Sequence, residues 1–204
     1  MHAFLMVDIQ NDFTPGGALA VNEGDKIIPI ANALQEKFEL VIATQDWHPA
    51  DHGSFAANHP GKNPGEVIEL NGLDQILWPV HCVQESNGAA FHPELNLDNI
   101  HHIVHKGTNA QIDSYSSFFD NGHKKSTGLE NYLQEKGVTE LSICGLATDY
   151  CVKFSALDAV NLGFKTNVII DACRGVELAN GDVDKAIREM KVKGVQIIES
   201  SAVL

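Results

Sequence analysis

The sequence predicts an α/β protein, a three-layer α/β/α sandwich around a six-stranded parallel sheet, Rossmann-like in its winding. Short apolar runs alternate with segments of helical period from end to end, the pattern of strands joined by right-handed crossover helices. The apolar runs are dense, as in strands covered on both faces. At 204 residues, 44% of them apolar and 20% charged, the chain is long enough for one such unit with a full core and short for two. Residues 1–204 are therefore expected to form one domain.

Ala3 to Val7 reads as the first buried strand, with Asp8 at its carboxyl end. Gln10-Asn11-Asp12-Phe13-Thr14-Pro15-Gly16-Gly17 is loop chemistry throughout. Lys26 to Phe38 has helical spacing through Ile27, Ile30, Ala31 and Leu34, with Asp25 as its cap. Leu40 to Thr44 is the second strand, ending at Gln45-Asp46. Residues 47–99 form a polar loop excursion rich in Pro, Gly, Asn and His, with apolar patches at Val67-Ile68 and Ile76-Leu77-Trp78. Loops this long inside a compact domain are more often functional than idle.

His101 to His105 carries the third strand, ending at Lys106-Gly107, and Ser126 to Lys136 is a helix stopped by Gly137. The other elements are arranged around Glu140 to Gly163. There Leu141-Ser142-Ile143-Cys144 is a strand, Gly145 breaks it, and Thr148 or Asp149 offers an oxygen to cap a helix. That helix buries Val152, Ala156, Ala159 and Val160 and stops at Gly163. A strand from Thr166 to Ile170 ending at Asp171, a helix from Gly181 to Lys193 and a strand from Val195 to Ile198 complete the chain. No Gly-x-Gly-x-x-Gly follows the first strand, so no dinucleotide site is implied.

Ligands of open parallel sheets bind beyond the carboxyl ends of the strands, near the switch in strand order. Asp8, Asp46, Lys106 and Cys151 all fall at or just past such ends and are expected to be neighbours. Cys151 lies in the first turn of its helix, where free amides and the helix dipole favour a thiolate and could hold an oxyanion. A carboxylate beside it can act as general base, and a lysine between them favours both ionised forms. The plainer alternatives are a cysteine packing as a small hydrophobe, strand-end aspartates serving turns and a solvated lysine.

Asp46 and His48 stand two apart in Asp46-Trp47-His48, so in an extended segment their side chains point the same way and can share one ion. A third ligand from His81 would leave positions open, as in catalytic metal sites. One carboxylate and two imidazoles suit zinc, iron or manganese; the alternative is loop histidines without a ligand role. His101, His102 and His105 read as surface and strand residues.

Net charge is −13, from 14 basic and 27 acidic residues, which excludes nucleic acid and anionic membrane surfaces as partners. The apolar run after Met1 is too short for a signal-peptide core and lacks a basic lead-in, no window approaches a membrane span, and the expected location is cytoplasmic. Cys82, Cys144, Cys151 and Cys173 are then free thiols.

With these residues assembled, the chain resembles the pyrazinamidase/nicotinamidase family of the isochorismatase-like cysteine hydrolase superfamily over nearly its whole length. The resemblance rests on Val7-Asp8-Ile9-Gln10-Asn11-Asp12-Phe13, on Asp46-Trp47-His48-Pro49 through His52-Gly53-Ser54-Phe55, and on Trp78-Pro79-Val80-His81-Cys82. It continues in His105-Lys106-Gly107 and in Gly145-Leu146-Ala147-Thr148-Asp149-Tyr150-Cys151-Val152, with no departure at a catalytic position. It implies an isochorismatase-like hydrolase fold and a triad of Asp8, Lys106 and Cys151. It also implies a divalent metal, zinc before iron or manganese, on Asp46, His48 and His81, and a cis peptide at Leu146-Ala147 that aims the amides of Ala147 and Cys151 at one oxygen. Some family members add a histidine at the position of His52, and His52 stays outside the expected set. Phe13 and Trp78 match positions that sandwich the substrate ring, and Tyr115 closes the pocket. The activity implied is metal-assisted hydrolysis of a small molecule, nicotinamide, to nicotinate and ammonia through a thioester, in NAD salvage, by a monomer or a homo-oligomer. The alternative is another cysteine amidohydrolase of the superfamily, acting on a carbamoyl or ureido compound without need of the metal ligands.

Overall fold

The computed structural model describes residues 1–204. Its strands are β1 (His2–Val7), β2 (Val41–Asp46), β3 (Val67–Leu70), β4 (Leu73–Ile76), β5 (His102–Lys106), β6 (Glu140–Leu146), β7 (Lys165–Arg174) and β8 (Gln196–Ile198). Its α-helices are α1 (Ile28–Gln35), α2 (Leu129–Glu135), α3 (Lys153–Asn161) and α4 (Asp182–Val192). Six strands form one sheet in the order β5-β2-β1-β6-β7-β8, and every neighbouring pair is parallel. The winding runs outward from β1 to β5, returns to β6 beside β1, and runs outward again to β8, so the strand order switches between β1 and β6. All six residues of β2 and five consecutive residues of β1 are buried, which means that both faces of the sheet are covered. No helix is long and apolar enough to cross a membrane.

The six parallel strands lie where the apolar runs place them, but β6 runs through Gly145 to Leu146 and β7 runs past Ile170 to Arg174. The helix starts also differ from expectation, each for a local reason. Before α1 a 3-10 turn occupies Gly24–Ile27, and α1 begins at Ile28 with Pro29 next, whose missing amide suits the first helical turn. Asp25 caps nothing. Ser126 and Thr127 accept hydrogen bonds from the amides of Gly128 and Leu129, holding the chain in a turn and delaying α2 to Leu129. Neither Thr148 nor Asp149 caps the helix after β6: a π-helical turn, Thr148–Val152, precedes α3. The Asp149 carboxylate accepts instead from the amides of Val176 and Glu177, at 2.9 and 2.8 Å, pinning the segment after β7.

The excursion at 47–99 is not all loop. β3 and β4 form an antiparallel hairpin turned by Asn71-Gly72, both with positive φ, as the two central residues of a type I′ turn require. Asn-Gly between two apolar runs is the sequence signal for that hairpin.

Gly145 sits at the switch point with φ +126°, opposite Val7 in the β1–β6 register. A Cβ there would lie 2.0 Å from the Val7 carbonyl oxygen, so only glycine lets the ends of β1 and β6 come this close. Gly145→Ala should destabilise the fold by more than about 3 kcal/mol, through clash and strain together. Thermal unfolding within a degree or two of the wild type would show that the strand ends relax freely.

Candidate active site

Asp8 follows β1, and its positive φ of 50° turns the chain sharply off the sheet. Its carboxylate is fully buried: Oδ1 accepts a hydrogen bond from Thr44 Oγ1 at 2.5 Å, and Oδ2 lies 2.8 Å from Lys106 Nζ. Lys106 ends β5, in register with Asp46 at the end of β2. Its ammonium also contacts Asp46 Oδ1, the Ser114 carbonyl at 3.1 Å and Cys151 Sγ at 3.4 Å. Cys151 projects from the π-helical turn after β6, and its sulfur and oxygens of Asp8 and Asp46 lie within 4.8 Å of one another. Asp8, Asp46 and Cys151 thus meet around the one buried ammonium of Lys106.

Burial alone would discharge Lys106, but Asp46 and Asp8 hold it charged and its pKa high. Burial pushes Asp8 up to about 6, against the pull of Lys106. Against the same burial, Lys106 and then His48 hold Asp46 well below the ordinary carboxylate range. The two carboxylates therefore differ: at neutral pH Asp46 is a fixed anion, while Asp8 is ionised and ready to take a proton. For Cys151 burial works against the thiolate that the helix terminus favours. Burial pushes the thiol well up, outweighing Lys106, and Asp8 and Asp46 push the same way.

Beside this cluster His48 Nε2 and His81 Nε2 stand 3.7 and 3.9 Å from Asp46 Oδ2. The other ring nitrogens are engaged by backbone carbonyls: His48 Nδ1 with Gly107 O and His81 Nδ1 with Pro79 O, both at 2.8 Å. Protein carbonyls on Nδ1 orient each ring and leave Nε2 as the free donor atom, as for metal-ligating histidines. Gly107 is required for this closeness, since a Cβ there would lie 2.3 Å from His48 Cε1. One ligand atom from each of Asp46, His48 and His81 lies within 4.8 Å of the others, so these residues fit a divalent cation. Burial and the nearby His48 hold His81 at about 4, so it is neutral and able to ligate at pH 7. His48 is pulled up by Asp46 in spite of burial and would give up its proton on binding a cation. His52 lies tilted against His48, with ring centroids 4.3 Å apart, and groups with His48 and Asp113 rather than with Asp46 and His81.

The sulfur opens on a mostly apolar cavity walled by Phe13, Trp78, Tyr115 and Tyr150, with Ala147 beside Cys151 at its floor. The Tyr115 hydroxyl accepts from Trp78 Nε1 at 3.1 Å and Gln75 Nε2 at 3.2 Å, and Trp78 meets Tyr150 edge-on at 5.0 Å. The Leu146-Ala147 peptide is cis. Every residue expected at the site thus lies in one place. His101 Nδ1 accepts from the Val41 amide, and His102 and His105 stack on Tyr132 and Trp47, all apart from the cluster. Cys82, Cys144 and Cys173 are buried and unpaired.

Sequence reasoning missed Leu19, Asp113, Tyr150 and Val176 of the cavity wall and the Thr44 hydroxyl on Asp8. A signal existed for Thr44, which stands two before Asp46 in the same strand and so faces the same side. Leu19 and Val176 belong to loops brought over the cavity by long-range contacts, and nothing local marks them.

A buried thiol, two carboxylates and an ammonium meet at the carboxyl ends of a parallel sheet, where open α/β folds place their ligand and active sites. A family model described as the isochorismatase domain matches residues 2–202, and the chain belongs to that family. It is 52% identical over 199 residues to the nicotinamidase of Escherichia coli, covering 96% of this chain and 93% of that protein. A nicotinamidase/pyrazinamidase from Acinetobacter baumannii superimposes with a TM-score of 0.97 at 52% identity, covering 100% of this chain and 98% of the other. The pyrazinamidase of Pyrococcus horikoshii, solved in complex with zinc, gives a TM-score of 0.79 at 39% identity, with coverage of 97% and 98%.

With Asp8 at about 6, its base form is present above that pH and lost below it. Measured kcat/KM should therefore fall on an acid limb centred near pH 6. A limb centred below about 4.5, in the ordinary carboxylate range, would show that burial does not raise Asp8 in the working enzyme.

Proposed function

We propose that the protein is a nicotinamidase, hydrolysing nicotinamide to nicotinate and ammonia with Cys151 as nucleophile. One observation carries the reading: the Asp8–Lys106–Cys151 cluster and the Asp46–His48–His81 ligand set share one Asp46 carboxylate at the floor of an aromatic cavity. Kinship with the nicotinamidases named above supports the substrate.

Phe13 and Trp78 hold the flat ring between them, and Tyr115 closes the cavity. Asp46, His48 and His81 would hold a divalent cation, zinc in the first instance, which would supply Lewis acidity beside the ring nitrogen of the substrate. Asp8 takes the proton of the Cys151 thiol as Sγ attacks the carboxamide carbon, and the resulting oxyanion is held by the amides of Ala147 and Cys151. Asp8 passes that proton to the nitrogen, the C–N bond breaks, and ammonia leaves a thioester on Cys151. Asp8 then takes a proton from water as its oxygen attacks the thioester. The C–S bond breaks, the thiol recovers the proton from Asp8, and nicotinate departs. A thiol that is neutral at rest and an Asp8 carboxylate at about 6 suit this cycle, because the proton moves between them only when the substrate is in place. Lys106 keeps its charge throughout and stabilises both the thiolate and the Asp8 carboxylate.

Pyrazinamide keeps a ring nitrogen meta to the carboxamide and is a second substrate on this reading. Nicotinate released here feeds NAD salvage, and four unpaired thiols suit the reducing cytoplasm. A carbamoyl or ureido hydrolase would use the same nucleophile without the ligand set.

Cys151→Ala should lower ammonia release from nicotinamide at least ~1,000-fold with the fold intact by circular dichroism. Retained turnover would refute the nucleophile. His48→Ala should lower metal content and activity together; a metal-free, fully active variant would favour the ureido reading.

A further inference from the structure

Gln10 lies in the loop after β1, fully buried, and no step above uses it. Its side-chain amide makes three hydrogen bonds of 2.8–2.9 Å: Oε1 accepts from the Asp46 amide, and Nε2 donates to the Asp46 and Ala89 carbonyls. Both backbone polar groups of Asp46 are thus taken by one side chain. The reason lies in the sheet. The β1–β2 register runs from Phe4↔Val41 to Met6↔Ala43 and stops there, because the chain turns away at Asp8. On its other side β2 continues to pair with β5 as far as Asp46↔Lys106. Asp46 would therefore reach the end of the sheet with its β1-facing N–H and C=O unpaired and buried. The Gln10 amide, one donor and one acceptor in a plane, stands there as a substitute peptide unit and extends the ladder past the end of β1.

We propose that Gln10 is a positioning residue for the bound cation: by clamping the Asp46 peptide it fixes where the carboxylate presents Oδ2 to the histidines while Oδ1 stays on Lys106. The carboxylate leaves little slack for a shift, since its two oxygens face two separate partners sets, Lys106 on one side and His48 and His81 on the other. This inference rests on the reading of Asp46, His48 and His81 as the metal ligands. It concerns affinity for the metal rather than the chemistry of the amide.

Gln45 provides the internal control. Its Nε2 donates to the same Ala89 carbonyl at 2.8 Å, while no side-chain bond of Gln45 reaches the backbone of Asp46. Loosening the loop at Ala89 is therefore separable from releasing Asp46.

The test is Zn²⁺ affinity of the metal-free, full-length protein, measured by competition with a chromogenic chelator. Gln10→Met is nearly isosteric and lacks the amide; Gln10→Asn keeps an amide one methylene short of its partners and serves if the first fails to fold. Either should bind zinc about 10- to 100-fold more weakly, the range for loss of a group that orients a ligand, and Gln45→Leu less than about threefold. Unchanged affinity in the Gln10 variants, or an equal loss in Gln45→Leu, would overturn the clamp and leave the ligand set standing. A wild-type protein that binds no zinc would instead remove the metal reading and this inference with it.

Discussion

A single buried ammonium organises this molecule's chemistry. Lys106 ends β5 with no exposed side-chain surface, and its charge is tolerable there only because Asp8 and Asp46 face it at contact distance. Removing either carboxylate would leave buried charge uncompensated, so the three strand ends that carry these groups must stay in one arrangement. The rest of the site is hung on that arrangement. Cys151 is placed against the same ammonium, and His48 and His81 are grouped around the far oxygen of one of its two partners.

Two chemically identical carboxylates differ here through surroundings alone. Asp46 faces Lys106 and two imidazoles and stays an anion. Asp8 has Lys106 and the Thr44 hydroxyl, but burial and the neighbouring Asp46 raise it to about 6. A fixed anion suits a ligand, and a raised carboxylate suits a group that must accept and return a proton. Cys151 completes the contrast, since its deep burial favours the neutral thiol.

Close approach and aromatic framing come from the loops. Gly145 and Gly107 remove the Cβ atoms that would keep β1 from β6 and His48 from its carbonyl partner. The β3–β4 hairpin carries Gln75, whose amide, with Trp78 Nε1, holds the Tyr115 hydroxyl and ties together walls from distant parts of the chain. Side chains on or just past rigid strand ends form the charged cluster, and loops fastened to one another supply the shape around it.

The parallel strands and their order of appearance were legible because dense apolar runs are a local property, and Asp8, Asp46, Lys106 and Cys151 were legible because they sit where those runs stop. The hairpin also had its sign, Asn71-Gly72 between apolar runs, but it lay inside a polar stretch that read as loop. Helix starts were less legible: Ser126, Thr127 and Asp149 have the chemistry of caps, yet the first two hold a turn and the third binds amides 27 and 28 residues away. The state of the Cys151 thiol could not be read, since it follows first from how deeply the sulfur itself is buried and then from the three charged groups beside it. Residue chemistry and the periodicity of apolar positions, both short-range along the chain, determined the fold class and the candidate site residues. Only packing across the switch point decided their distances, their protonation and the use of the Gln10 amide as a missing piece of strand. These depend on which backbone groups the sheet leaves unpaired and on how far water is kept away.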